Sequence, residues 1–362
     1  MDFRALENEV IDDIDAGIAV ELQSSPGIGK SEFVAGLVKK LSDRDNEEWG
    51  FATMFLATQT PSDMIGYLFK GERDFDGELV AVTEPTLPLW MVTRSGKPTW
   101  AYKRGILLLD EYGQGEADTK RSSAELLLNK QLGPWSLGGG NKDGWGVIAC
   151  SNRAQDRSGL TKNFDFVINR RKQYDVTPSV DAWLDWAATH GVSPLAMAFA
   201  AQNPQIVFDG SVPEKQGPWC TPRSLVMLDR SMQVKEKRIG RFPDDAITVE
   251  GAMGLIGPAA AQYFAFVRLE RELATFEEIV RNPDKAKLPQ KPDGQMLGVY
   301  NLAHRVDAKT LKPVIQYIER MPKEFAVTFA KTACKRTPEL VIDPAMRSWS
   351  TQNASLMAAL TA

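Results

Sequence analysis

Hydrophobic positions recur along this chain in two rhythms, and the change from one to the other divides it. Up to about residue 175, short apolar runs alternate with amphipathic ones. Ile18, Val20 and Leu22 fall at every second position, as on a half-buried strand, and "FATMFLA" (51–57) is a further strand-like run. "GILLLD" (105–110) and "GVIACS" (146–151) are continuous apolar runs, the pattern of strands covered on both faces. Together with 172–176, these stretches predict five strands, the first over 17–23. Phe33, Val34, Leu37, Val38 and Leu41 share one helical face, and "ADTKRSSAELLLNKQLG" reads as another helix around Leu126, Leu127 and Leu128. Strand–helix alternation of this kind predicts a parallel sheet between helical layers.

From about residue 177 the spacing is helical throughout. "SVDAWLDWAATHGVSPLAMAFAAQ" carries Trp183, Leu184, Trp186 and Ala187 at helical intervals, and the tryptophans read as core. A Pro-rich loop leads to "LVMLDRSMQV", and "KPVIQYIERMPKEFAVTFAKTAC" continues with a break at Pro322. "RNPDKAKLPQKPDG" (281–294), with three prolines, reads as a surface linker. The expected organisation is an αβα core over 1–175, a helical lid over 176–240 and a C-terminal helical extension over 241–362.

Composition narrows the function classes. The chain has 362 residues, 43% hydrophobic and 25% charged, with a formal charge of −4. That balance fits a folded protein in water and argues against one that coats nucleic acid. No apolar run approaches the ~20 residues of a membrane span. The start, "MDFRALENEVIDDIDAG", is acidic and has no signal-peptide core. Cys150, Cys220 and Cys334 are odd in number and widely spaced, the pattern of free thiols in a reducing compartment, so a cytoplasmic location is expected. His190 and His304 are the only histidines and neither neighbours a cysteine, which argues against a zinc site or a histidine-based triad.

The chemistry concentrates where predicted strands end. "SSPGIGKS" joins the first strand to the first amphipathic helix, and Gly27, Gly29, Lys30 and Ser31 match the core of G-x-x-x-x-G-K-[ST]. Glycines there let backbone N–H groups approach phosphate oxygens, the lysine reaches the outer phosphates, and the hydroxyl can ligate Mg²⁺. The first glycine of that pattern is Ser24 here. "ILLLDE" ends a buried strand in two carboxylates, Asp110 placed for the metal and Glu111 placed to polarise an attacking water. "VIACSN" ends in Asn152, whose amide can orient that water. Arg170 and Arg171 precede the fifth strand, and Arg223 opens a helix of the second half, where it either reaches phosphates or caps local carboxylates.

In this order, "SSPGIGKS", "ILLLDE", "VIACSN", "NRR" and "TPRS" resemble the AAA+ ATPases over about residues 15–230. The set looks most like the MoxR-like branch in its short phage-type members. "ATQTPSDMIGYLFKG" resembles the stretch where that branch inserts a β-hairpin into a helix. "QLGPWSLGGGNKDGWGVIACSNR" is similar to its hairpin ahead of the asparagine-bearing strand, and "LTKNFDFVINRRKQYDVTPSVDAWLDWA" to its passage into the lid. The resemblance implies a P-loop NTPase αβα core with an all-helical lid, binding ATP and Mg²⁺. It implies a Walker A loop of Ser24, Ser25, Pro26, Gly27, Ile28, Gly29, Lys30 and Ser31, with Glu32 following. Asp110 and Glu111 would be the Walker B pair, Asn152 sensor 1, Arg170 or Arg171 the finger reaching a neighbour's site, and Arg223 sensor 2. It further implies a homo-hexameric ring remodelling a protein client, in this branch often one bearing a von Willebrand factor A domain.

Two other readings differ in class. A nucleic-acid motor would use "NKDGW" (141–145), with Lys142 for charge and Trp145 for stacking. A nucleotide-gated adaptor would bind ATP without turnover and leave Glu111 idle.

Overall fold

The computed structural model describes residues 1–354 other than 141–143, 157, 158, 160, 162, 163 and 271. The chain forms two compact units, Met1–Pro178 with Gly210–Val212, and Ser179–Asp209 with Pro213–Ala362.

Among its described residues the first unit has nine strands: β1 Val20–Ser24, β2 Gly50–Phe55, β3 Leu68–Phe75, β4 Glu78–Pro85, β5 Gly105–Asp110, β6 Gln131–Leu132, β7 Trp135–Ser136, β8 Trp145–Asn152 and β9 Lys172–Asp175. Five of them make one sheet in the order β2-β5-β8-β1-β9, every pairing parallel. These are the five strands predicted from the sequence, displaced by three residues at most. Ile18 falls outside β1 and is exposed, so only Val20 and Leu22 of that alternation are buried.

The sheet is covered on both faces, and successive side chains along each strand feed opposite cores. Val20, Leu22, Ile106, Leu108, Ile148 and Cys150 share one apolar cluster with Val34, Leu37 and Leu41 of helix α2, Lys30–Asp45. Leu6, Val10 and Ile14 of helix α1, Phe3–Asp15, complete that layer, and Asp2 caps α1 by accepting the Ala5 N–H at 2.9 Å. Ala52, Met54, Leu107, Leu109, Val147 and Ala149 belong to the opposite cluster. The result is the three-layer αβα core of the P-loop fold.

At the end of the sheet remote from the glycine loop, two glycines make room for one large ring. A Cβ on Gly105 would lie 2.6 Å from the Gly50 carbonyl oxygen and 2.6 Å from the Trp145 ring, itself 1% exposed. Trp145 is thus a core residue, which removes the stacking surface that a nucleic-acid reading of "NKDGW" required. Residues 141–143, Lys142 among them, lie outside the described residues.

Helix α3, Pro61–Ile65, follows β2 and leads into the antiparallel ribbon β3–β4, whose residues are exposed along most of both strands. The ribbon leaves and returns through a pinch. A Cβ on Gly66, at φ +101°, would lie 1.9 Å from the Thr86 carbonyl oxygen, and Thr86 N–H donates to the Tyr67 carbonyl at 2.8 Å. Helix α4, Ala117–Asn129, then connects to the short β6–β7 hairpin that precedes β8.

Among its described residues the second unit contains helices and loops and no strand. Trp183, Phe199, Leu225, Tyr263 and Leu297 share one apolar core, which takes side chains from both sides of residue 240. Val314, Phe329, Ala333 and Trp349 belong to a second core. Helices Leu311–Ile318 and Lys323–Arg336 break around Pro322, and the proline-rich stretch after Arg281 carries no helix until Pro292. In this unit His304 sits against two carbonyls, Nδ1 at 3.0 Å from Tyr300 and Nε2 at 3.1 Å from Val192. Burial, aided by the Arg336 charge, pushes its imidazolium down to about 4 despite those carbonyls.

Two outcomes follow for stability. Gly105→Ala should lower the unfolding free energy of the first unit by about 1–3 kcal/mol through overpacking. Gly36→Ala on α2, where the added methyl meets nothing within 4 Å, should raise it by up to about 1 kcal/mol. Denaturant titrations check both signs. The unfolded chain takes up a proton at His304 below its ordinary 6.5, the folded one only near 4, so stability falls as pH drops through that window. Thermal unfolding of His304→Gln across pH 4–7 should show a shallower acid slope than wild type.

Candidate phosphate-binding site

Three parallel strands end at one edge of the sheet and deliver the polar residues there. β1 and β8 pair in register so that Ser24 stands opposite Asn152, and in β2–β5 Phe55 stands opposite Asp110. The chain then turns through Ser25–Gly29 into α2. Gly27 at φ +80° and Gly29 at φ +103° adopt left-handed backbone that a side chain would strain, and Gly29 is the N-cap of α2. Ser24 needs no such freedom, because it is the last residue of a strand. The substitution of the pattern's first glycine therefore leaves the turn intact.

The lysine and the carboxylate both arrive at this edge. Lys30 Nζ donates to Ser24 Oγ at 2.7 Å, to Asn152 Oδ1 at 3.2 Å and to the Ser25 carbonyl at 3.3 Å. Ser31 Oγ donates to Asp110 Oδ2 at 2.7 Å, while Asp110 Oδ1 accepts the Glu111 N–H at 3.0 Å. Residues from three elements of the sequence pattern are thus within hydrogen-bond reach of one another. The loop places an ammonium, backbone N–H groups and the positive end of the α2 dipole at one point, a combination suited to an anion. Ser25 and Ile28 are buried in the loop, Pro26 is half-buried, and Glu32 is exposed on the first turn of α2.

Ser31 and Asp110 offer a hydroxyl and a carboxylate, hard oxygen donors of the kind Mg²⁺ takes when water and phosphate fill its other positions. The donor chemistry fits that ion. Among the described residues there is no group of three or more His, Cys, Asp or Glu side chains suited to a metal. Cys150, next to the site in β8, is buried and its thiol is pushed up by desolvation, so it is no nucleophile here.

Glu111 follows with a left-handed backbone, φ 52° and ψ 34°, unusual for a glutamate. It is exposed, and Tyr112–Gln114 continue as a 3₁₀ turn. That conformation ends β5 abruptly and turns the carboxylate out of the strand line.

The paired arginines separate. Arg171 is not free to reach a neighbouring molecule. Its side chain is 1% exposed, its Nε pairs with Glu21 Oε2 at 2.5 Å, and its Nη1 donates to the Val167 carbonyl at 2.8 Å. The finger role offered to it from the sequence is therefore corrected: a guanidinium held by a buried carboxylate of its own chain has no reach. Arg170 is half-buried and donates to the Ala124 carbonyl at 2.9 Å. Arg223 is exposed on the first turn of helix Pro222–Ile239 in the second unit.

Several residues around the site carry no motif. Glu21, Lys120 and Ser151 are buried polar groups, and Arg153 forms an ion pair with buried Asp156 at 2.8 Å and donates to the Gly210 carbonyl. That last bond ties Gly210–Val212 to the segment following Asn152. The available signal for Glu21 was a carboxylate between two apolar residues of a buried strand, "VEL".

No family model matches the chain, and no curated protein matches it. Among solved structures it is similar to a protein from Cytophaga hutchinsonii described as a candidate ATPase, 13% identical over 91% of this chain and 79% of that one, TM-score 0.34. It is similar to a point mutant of RuvB from Thermotoga maritima, 9% identical over 78% of this chain and 75% of that one, TM-score 0.39. It is also similar to NtrX from Brucella abortus in complex with ADP, 14% identical over 96% of this chain and 68% of that one, TM-score 0.36. Likenesses of this degree say nothing of what the chain binds or does. No helix among the described residues is long and apolar enough to cross a membrane.

The two arginines differ in cost. Arg171→Ala leaves Glu21 buried and unpaired and should destabilise the first unit by roughly 3–5 kcal/mol. Arg170→Ala removes one charge-assisted hydrogen bond and should cost about 1–2 kcal/mol. Chemical denaturation of the two variants reads the difference.

Proposed function

We propose that the chain is a Mg²⁺-dependent ATPase of AAA+ type. The observation that carries this reading is the convergence of Lys30, Asn152 and Ser24 at one point, with Ser31 on Asp110 beside it. Lys30 and the N–H groups of the Gly27–Gly29 turn would bind the outer phosphates, and Ser31 with Asp110 would hold the cation. The bound cation would neutralise charge on the phosphate oxygens. Glu111 would accept a proton from the attacking water, and Asn152 would orient that water from the opposite side. Arg170, the remaining finger candidate, would complete the pocket of the next copy in a homo-hexameric ring.

The work done with the ATP is read as remodelling of a protein client, in the manner of the MoxR-like branch. Support comes from the β3–β4 ribbon. Leu68, Phe69, Phe75 and Leu79 are each more than half exposed on it, a density of apolar side chains that suits a protein surface. Residues 68–85 also carry five carboxylates against two cations, which disfavours a phosphate backbone. With Trp145 buried, the stacking surface that the nucleic-acid alternative took from "NKDGW" is lost.

Glu111→Gln should keep ATP binding and lower turnover by about 100-fold or more. Phosphate release and calorimetric titration with ATP read the two quantities separately. Undiminished turnover in that variant removes Glu111 from the chemistry. Wild-type turnover per chain that does not vary with protein concentration would sink the shared pocket.

A further inference from the structure

Beside the phosphate site lies a packed cluster of charged and aromatic side chains that the proposed chemistry does not touch. Glu21, on β1 three residues before Ser24, is fully buried. Its Oε1 accepts from Ser151 Oγ at 2.5 Å, and Ser151 is the residue before Asn152. Its Oε2 pairs with Arg171 Nε at 2.5 Å. The Arg171 guanidinium in turn lies 5.1 Å from the ring centroid of Tyr112, the residue after Glu111. Lys120 of α4, also fully buried, stands 5.9 Å from the same ring. Its Nζ donates to the Gly113 carbonyl at 2.8 Å and to the Thr161 carbonyl at 2.9 Å. One continuous set of contacts therefore runs from the Asn152 strand end to the Glu111 turn.

Stability alone does not account for the set. Buried ion pairs return little net free energy, and a pair kept for stability would be fully hydrogen-bonded. Arg171 Nη2 is buried with no hydrogen-bond partner, so the guanidinium is aimed by its ring and carboxylate neighbours at the cost of one unsatisfied donor. What the arrangement does supply is position. Glu111 has strained left-handed backbone, and such a residue holds its direction only if the turn after it is fixed. Tyr112, buried with both cations within 6 Å of its ring, is the first residue of that turn.

We infer that the Glu21–Arg171 pair is a positioning device, which through the Tyr112 ring sets Glu111 relative to Lys30 and Asp110 and couples it to the Asn152 strand end. The inference rests on the reading of Glu111 as the water-activating base.

The test is the double variant Glu21→Leu with Arg171→Met in the full chain. It replaces the pair by apolar groups, so folding is kept while the link to Tyr112 is lost. Expected is a melting temperature at or above wild type, a KM and Kd for ATP within about threefold, and a kcat about 10- to 100-fold lower. Arg171→Lys, which keeps a cation at Glu21 and over the ring, should recover part of that loss. A folded double variant with wild-type kcat overturns the inference and leaves the pair a structural element. So does a variant whose ATP binding falls as much as its turnover. Should the double variant not fold, Tyr112→Leu carries the same test, because it keeps the pair and removes the ring. If wild type and Glu111→Gln turn over ATP equally, the reading of Glu111 falls and this inference with it. If Glu111→Gln is inactive but the pairless variant is not, only this inference falls.

Discussion

The ammonium of Lys30 is the point on which the geometry of the site depends. It is held by oxygens from the ends of two neighbouring strands, Ser24 on β1 and Asn152 on β8. Only a parallel sheet in this order brings those ends together at one edge, because every strand then points its carboxyl end the same way. The Gly27–Gly29 turn is what lets the chain reverse into α2 quickly enough to return Lys30 to the strand it left. A change in register of β1 against β8 by one residue would swap Asn152 for a residue facing a core. The covered sheet is thus a condition of the site, and the apolar layers on its two faces hold that register.

How much of this was legible in the sequence depends on what kind of signal each residue sends. Strands such as "GILLLD" are readable because a run buried on both faces has to be apolar at every position, and no surface element shows that pattern. Gly27 and Gly29 are readable because left-handed backbone favours glycine, and Lys30 because it follows them in the phosphate-loop pattern. Arg171 was not readable as buried, since a charged pair in a sequence looks the same whether water or a carboxylate from a distant strand solvates it. Its partner is 150 residues away. Glu21 sent a weak signal, a charge inside an apolar strand, and the meaning of that signal needed Arg171 beside it. Trp145 misled for the opposite reason. Next to glycines and charges it looked like a loop residue, but the space it fills is made by Gly50 and Gly105 on two other strands. Helix α1 was hidden by its acidic exposed face, with the buried stripe Leu6, Val10 and Ile14 legible only at helical spacing.

The first unit divides its surface unequally. Around the phosphate loop, polar groups are buried and mutually bonded, and the backbone is fixed by glycines and by the register of the sheet. On the β3–β4 ribbon nearly every side chain meets solvent, and stability there comes from the ladder and from few packing contacts. The bonded polar cluster and the exposed apolar ribbon are thereby kept on separate parts of one unit. The second unit contributes helices with two apolar cores of their own and a half-buried histidine that resists protonation.

The pinch at Gly66 and Thr86 isolates the ribbon from the sheet. Because the chain leaves and re-enters through adjacent backbone, everything between those two residues is topologically a cassette. Its length, charge and pattern can be rewritten by insertion or exchange without shifting β2 or β5, and so without moving Lys30, Asp110 or Asn152.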